Sequence, residues 1–141
     1  QFQRFCRDLH SEAFAWMLNE QTISPGVHAT LHWVLTSGRA LDRGNPSAEN
    51  IVRDLQAICP QFRHDVEQHA RTNAARWNDL ATLNAWRNAI AHHDFTKPKT
   101  PSEVIALTRV RQWRRSCNGL ATSFDAVVRV SLTQLVGRRP W

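Results

Sequence analysis

The stretch Arg87-Asn88-Ala89-Ile90-Ala91-His92 holds the side chains best suited to chemistry on a phosphodiester. A guanidinium grips phosphate through two hydrogen bonds and offsets charge building on it. An imidazole changes charge near neutrality, so it can accept or donate a proton. Asn88 and His92 are four residues apart and share one face of a helix, with Arg87 next to that face. The three are expected to converge on one patch near the helix C-terminus. His93 adds a second imidazole, and Asp94 and the negative end of the helix dipole both favour positive charge there. This is the minimum for cutting RNA without a metal. A base takes the proton from the 2′-hydroxyl, the 2′-oxygen attacks the adjacent phosphorus, and an acid protonates the leaving 5′-oxygen. One helix supplies few groups for this work, whereas a symmetric dimer supplies two histidines and two arginines. The plainer reading is a helix end where His92 and His93 cap carbonyls and Arg87 pairs with an acid.

Other residues invite weaker readings. Arg109, Arg111, Arg114 and Arg115 span under two helical turns and suit either an RNA backbone or a solvated face. Trp86, beside Arg87, is the tryptophan to consider for base stacking; Trp16, Trp33, Trp77 and Trp113 lie on or beside apolar stripes and are expected in the core. His28 and His32 have a metal-compatible spacing but no acidic partner motif, so no metal is expected. His64 and His69 do not share a face and receive no role. Cys6, Cys59 and Cys117 are far apart and odd in number, which reads as buried free thiols in a reducing cytoplasm.

Helices must position all of these. Phe5, Leu9, Ala13, Trp16 and Met17 recur at steps of three and four. Ser24-Pro25 is a capped helix start, followed by the stripe Val27, Leu31, Val34, Leu35 that fades over Gly38 to Gly44. Asn45-Pro46-Ser47 is a turn and cap before Ile51, Leu55 and Ile58. Pro60 interrupts, and Phe62, Val66, His69 and Ala70 continue as a short piece. Leu80, Leu83, Arg87 and Ile90 form the expected stripe of the motif helix. An arginine in that stripe is expected to be partly buried or to face another protein surface. Phe95 to Pro101 reads as a loop, and Thr100-Pro101-Ser102-Glu103 as a strong helix start. The last helix runs from Val104 through Leu135, long enough to bend near Gly119 or to project onto a partner. No strand, repeat or low-complexity run is expected. The fold class is all-α, an antiparallel bundle of four to six helices.

The 141 residues, 42% of them apolar, fit one domain over 1–141 with one core. Its first residue is Gln1, so a trimmed chain with a missing flanking domain is the expectation. No apolar run is long enough for a membrane helix, and residues 1–20 carry charges in amphipathic spacing unlike a leader. Of the 18 basic residues only Lys97 and Lys99 are lysine, and the net charge is +6. An arginine-dominated surface suits a phosphate-bearing partner.

With its Arg, polar residue and His after four intervening positions, the segment Arg87 to His92 resembles the active-site motif of the HEPN family; His93, after five, also fits. The resemblance covers the motif closely and the rest of the chain in architecture only. It implies an all-α bundle acting as a cytoplasmic, cofactor-free and metal-independent endoribonuclease. Such domains work mostly as dimers with the motif facing itself, in toxin–antitoxin modules, antiviral defence and RNA processing. Arg87 would stabilise the phosphate and His92 would be the acid–base. Asn88 would bind phosphate or orient His92, and His93 would support it. The same fold also serves as a non-cleaving binding or dimerisation module, for instance beside a nucleotidyltransferase or an antitoxin.

Overall fold

The computed structural model describes residues 1–93 and 105–141, with no strand among them. Seven helices follow in order: α1 (Phe2–Asn19), α2 (Pro25–Thr36), α3 (Ala40–Arg43), α4 (Ala48–Leu55), α5 (Phe62–His69), α6 (Asn73–His92) and α7 (Leu107–Val136). The chain therefore builds the all-α bundle that its periodicity called for. The helices outnumber the expected four to six because α3 is a single turn and Pro60 separates α4 from α5. None of the described helices is long and apolar enough to cross a membrane.

Local chemistry sets most boundaries. Pro25 opens α2 in its first turn, where its missing N–H has no intrahelical partner to lose. Ser47 Oγ accepts from the Asn50 backbone N–H at 3.2 Å and caps α4. Gly137, at φ 76°, ends α7 in the left-handed region, where a side chain is disfavoured. The buried carboxylate of Asp54 accepts the backbone N–H groups of Ala40 at 2.8 Å and Leu41 at 2.9 Å. These are otherwise unpaired donors at the start of α3, so one side chain of α4 satisfies the end of another helix.

Phe124 of α7 lies at the centre of the core, its ring 6.0 Å from Phe2, 5.1 Å from Phe62 and 5.2 Å from Trp77. It joins α1, α5 and α6 to α7. The seam between α6 and α7 is antiparallel and largely polar. Asn73 Nδ2 donates to Ser123 Oγ, Arg76 lies against Gly119, and Asp79 accepts from Gln112 and from Ser116. Helix α1 runs in the same sense as α7, with Phe2 beside Phe124 and Glu20 paired with Arg138. The bundle is thus not antiparallel throughout.

Two expectations need correction, and Gly119 has a packing role that periodicity does not report. The stripe of α2 does not enter the core: Val27, Leu31 and Val34 are 50%, 39% and 53% exposed, Trp33 is 68% exposed, and of the stripe only Leu35 packs inward. Helix α7 begins at Leu107 after non-helical Ile105 and Ala106, later than the start read at Thr100 to Glu103, which lies outside the described residues. Gly119 answers to close approach: a Cβ there would collide with the Arg76 guanidinium.

Candidate functional site at the end of helix α6

The buried face of α6 is Asn73, Trp77, Leu80 and Asn84, at steps of four, three and four, with Ala89 buried five residues further on. Two of these are asparagines, which disguise the stripe in the sequence. Each amide nitrogen has a carbonyl partner, although Asn84 Oδ1 is buried without one. Asn73 Nδ2 donates to the Val66 carbonyl at 2.6 Å, and Asn84 Nδ2 to the Pro46 carbonyl at 2.9 Å. The stripe expected through Leu83, Arg87 and Ile90 is displaced from it. Leu83 is half-buried, while Ile90 is 53% exposed and Arg87 is exposed rather than partly buried.

Three and seven residues beyond Asn84, the core-facing register continues to Arg87 and Ala91, yet both are exposed. In these last turns Ala89 alone stays buried, at 4% exposure, and the side chains around it stand in solvent. Arg87 has neither an ion pair nor a hydrogen bond among the described residues, so the acid partner of the plainer reading is absent there. Asn88, Ile90, His92 and His93 are also exposed.

These groups do not all share one face. Asn88 and His92 do, whereas Arg87 and His92 are five residues apart and diverge by about 140° around the axis. Asn88 is also engaged, since its side-chain oxygen accepts from the side-chain amide of Asn45. Asn84 and Asn88, one turn apart, thus both hold the Asn45-Pro46 connection. Sequence reading missed this tie, and the i,i+4 asparagine pair is the signal that could have found it. His93 closes the helix at φ 49°, a left-handed conformation unusual for a residue with a side chain, and its backbone N–H reaches the Ile90 carbonyl at 3.4 Å. It caps through its backbone, leaving the imidazole in solvent. Asp94, expected to neighbour these histidines, lies outside the described residues.

The arginines of α7 split into two groups. Arg111, Arg114 and Arg115 line one surface depression with Thr108 and Asn118, on the side of α7 away from the core. All three are exposed and lack an acidic partner among the described residues. Arg109 stands apart, with Nη1 3.5 Å from Gln112 Oε1. Because α6 and α7 are antiparallel, the first turns of α7 run level with the last turns of α6. Leu107 and Val110, 63% and 45% exposed, lie on those turns. Trp86 is half-buried, so its ring is only partly available for stacking.

No family model, curated protein or solved structure matches this chain.

The remaining candidates are structural. Among the described residues no group of three or more His, Cys, Asp or Glu is placed to hold a metal ion. His28 Nε2 lies 2.9 Å from Asn19 Oδ1, joining α2 to α1. His69 Nδ1 lies 3.1 Å from Ser123 Oγ, but that buried hydroxyl donates to the Gly119 carbonyl and accepts from Asn73, so it is no nucleophile. All three cysteines are buried free thiols. Burial pushes each thiol up from its ordinary value, and for Cys59 and Cys117 the nearby Asp65 and Asp79 carboxylates add to the shift.

Proposed function

We propose that this chain is a metal-independent endoribonuclease of the HEPN type, acting as a homodimer in which the ends of two α6 helices form one composite site. The observation that carries the reading is the exposure of the motif side chains around buried Ala89 in the last turns of α6. Those turns hold in solvent an amide, two imidazoles and a guanidinium that has no acidic partner among the described residues.

Arg87 binds the scissile phosphate and stabilises the charge that develops on it. His92 takes the proton from the 2′-hydroxyl, the new 2′-O–P bond forms as the P–O5′ bond breaks, and an imidazole on the partner returns a proton to the 5′-oxygen. The products carry a 2′,3′-cyclic phosphate and a 5′-hydroxyl. The divergence of Arg87 and His92 favours sharing: the Arg87 of one copy and the His92 of the other reach one phosphate more readily than the pair on a single helix. His93 is the supporting imidazole. Asn88, held by Asn45, orients His92 rather than gripping the phosphate itself. Arg111, Arg114 and Arg115 lead the RNA backbone toward the site, Arg109 contributes charge from its own position, and Trp86 offers a ring edge to a base.

The test is cleavage of a mixed RNA pool in EDTA by the parent, Arg87→Ala and His92→Ala, with the product ends identified. Activity in the parent alone, leaving cyclic phosphate ends, supports the reading; equal activity in all three removes the assignment. Ala91→Glu, at the exposed end of α6, is expected to weaken dimerisation and cleavage together.

A further inference from the structure

Thr108, Arg111, Arg114, Arg115 and Asn118 line one depression on α7 and share one face of that helix. All five are exposed. Like charges at spacings of three and four destabilise a helix on their own. The chain does not offset them. The one carboxylate of α7, Asp125, accepts from Trp141 Nε1 at 3.0 Å. The one carboxylate of α6, Asp79, accepts from Gln112 Nε2 at 3.0 Å and from Ser116 Oγ at 2.6 Å. Both are held by neutral donors, and no acid among the described residues pairs with the three arginines.

We propose that this face of α7 is a phosphate-backbone site for single-stranded nucleic acid, complete on one chain and indifferent to the sugar, so that DNA is held as firmly as RNA. Every side chain on the face carries N–H or O–H donors, and none is aromatic or wholly apolar. Guanidinium, hydroxyl and carboxamide are the groups that hold nucleic-acid phosphates, and such contacts report neither base nor sugar. A base-reading surface needs rings to stack on, and a membrane-binding helix needs apolar side chains among its cations. The face has neither. From Thr108 to Asn118 it runs about 15 Å, which is short beside the roughly 16 base pairs that a duplex-RNA reader spans. It fits a few nucleotides of one strand.

The binding does not depend on the ribonuclease reading, since it needs neither His92 nor a second copy. One consequence does rest on that reading. The face lies on the first turns of α7, level with the α6 end that carries Arg87 and His92. Single-stranded DNA held here occupies the path of the RNA and, lacking the 2′-hydroxyl, is not cut. It therefore competes with RNA for the enzyme.

Fluorescence anisotropy of a labelled oligodeoxythymidine of about 15 nucleotides on the full chain tests the site. The parent is compared with a triple variant, Arg111→Gln, Arg114→Gln and Arg115→Gln, whose exposed positions leave the fold intact. A control with Arg4→Gln, Arg53→Gln and Arg71→Gln loses the same charge from α1, α4 and the turn before α6. Each phosphate contact to a single strand steepens log K against log salt by about 0.7, so the triple variant is expected to lose a slope of about 2. Raising salt from about 50 to 200 mM is then expected to cost the parent roughly twentyfold more affinity than the triple variant. The control is expected to keep the parent's slope within about half a unit. On His92→Ala protein, oligouridine of the same length is expected to bind within about threefold of the DNA. Equal loss of slope in the triple variant and the control overturns the site. RNA bound more than roughly tenfold tighter than DNA, or duplex DNA bound tighter than the single strand, also overturns it. So does DNA binding that is lost in Arg87→Ala and kept in the triple variant. Displacement of the DNA by polyglutamate of equal charge at equal concentration overturns nucleic acid as the occupant. DNA binding lost only in the triple variant, with no RNA cleavage by the parent, upholds this site and removes the ribonuclease reading.

Discussion

The side-chain amide of Asn45 donates to the side-chain oxygen of Asn88, tying the connection before α4 to the motif turn of α6. Asn45→Ala removes a partner without touching Arg87 or His92. The bond is exposed, so stability is expected to fall by no more than about 1 kcal/mol. Cleavage is expected to fall several-fold through a lower kcat, with KM for RNA little changed. An equal loss in both constants on thermal scanning and steady-state kinetics would place Asn88 in binding instead.

Arg87 has no partner to lose among the described residues. Arg87→Ala is therefore expected to leave the melting temperature within the error of an ordinary surface change, about 0.5 kcal/mol, while cleavage disappears. Calorimetry and RNA cleavage on the same samples decide this. A large loss of stability would mean that the guanidinium is a structural group.

His10 is buried against Phe14, ring centroids 4.7 Å apart, with its Nδ1 unpartnered. Burial, aided by Arg39, lowers it from 6.5 to about 4. The unfolded chain then binds a proton at higher pH than the folded one. Stability from the neutral ring is complete above about pH 6.5 and is lost as pH falls toward 4, by at most about 1.4 kcal/mol per unit. Denaturant midpoints between pH 4 and 7 are expected to rise with pH, and His10→Leu is expected to flatten that rise. An unchanged slope in the variant would assign the effect to other groups.

Gly119 and Arg76 are expected to be coupled. Gly119→Ala gains helix propensity of about 1 kcal/mol but displaces the guanidinium that donates to Asn73 Oδ1 at 2.8 Å. The single change is expected to be nearly neutral. In an Arg76→Ala background the same change is expected to stabilise by roughly 0.5–1 kcal/mol, giving a non-zero term in a double-mutant cycle.

Periodicity located α1, α2, α4, α5 and most of α6 because apolar side chains spaced at three and four residues report helix whatever lies outside. It does not report which face is covered. In α2 the stripe Val27, Leu31, Val34 is regular, yet the bundle presents Leu35 to the core and leaves the stripe in solvent. In α6 the reverse holds: Asn73 and Asn84 are core positions that hydropathy scores as surface, since their partners come from other elements, Val66 of α5 close by in sequence and Ser123 and Pro46 far from it. The residues of the motif were legible as types, and their exposure was not, because it depends on where the core ends rather than on anything within Arg87 to His92.

The meeting of Phe2, Phe62 and Trp77 on one ring of α7 has a consequence for how the protein is made. Phe124 is translated after all of its partners. While the ribosome is still extending α6, the aromatic side chains of α1, α5 and α6 lack the ring that joins them. The core closes only after most of α7 has left the exit tunnel, so synthesis from N- to C-terminus does not complete the fold in stages. Truncation within α7 before Phe124 is expected to leave an open chain rather than a smaller domain.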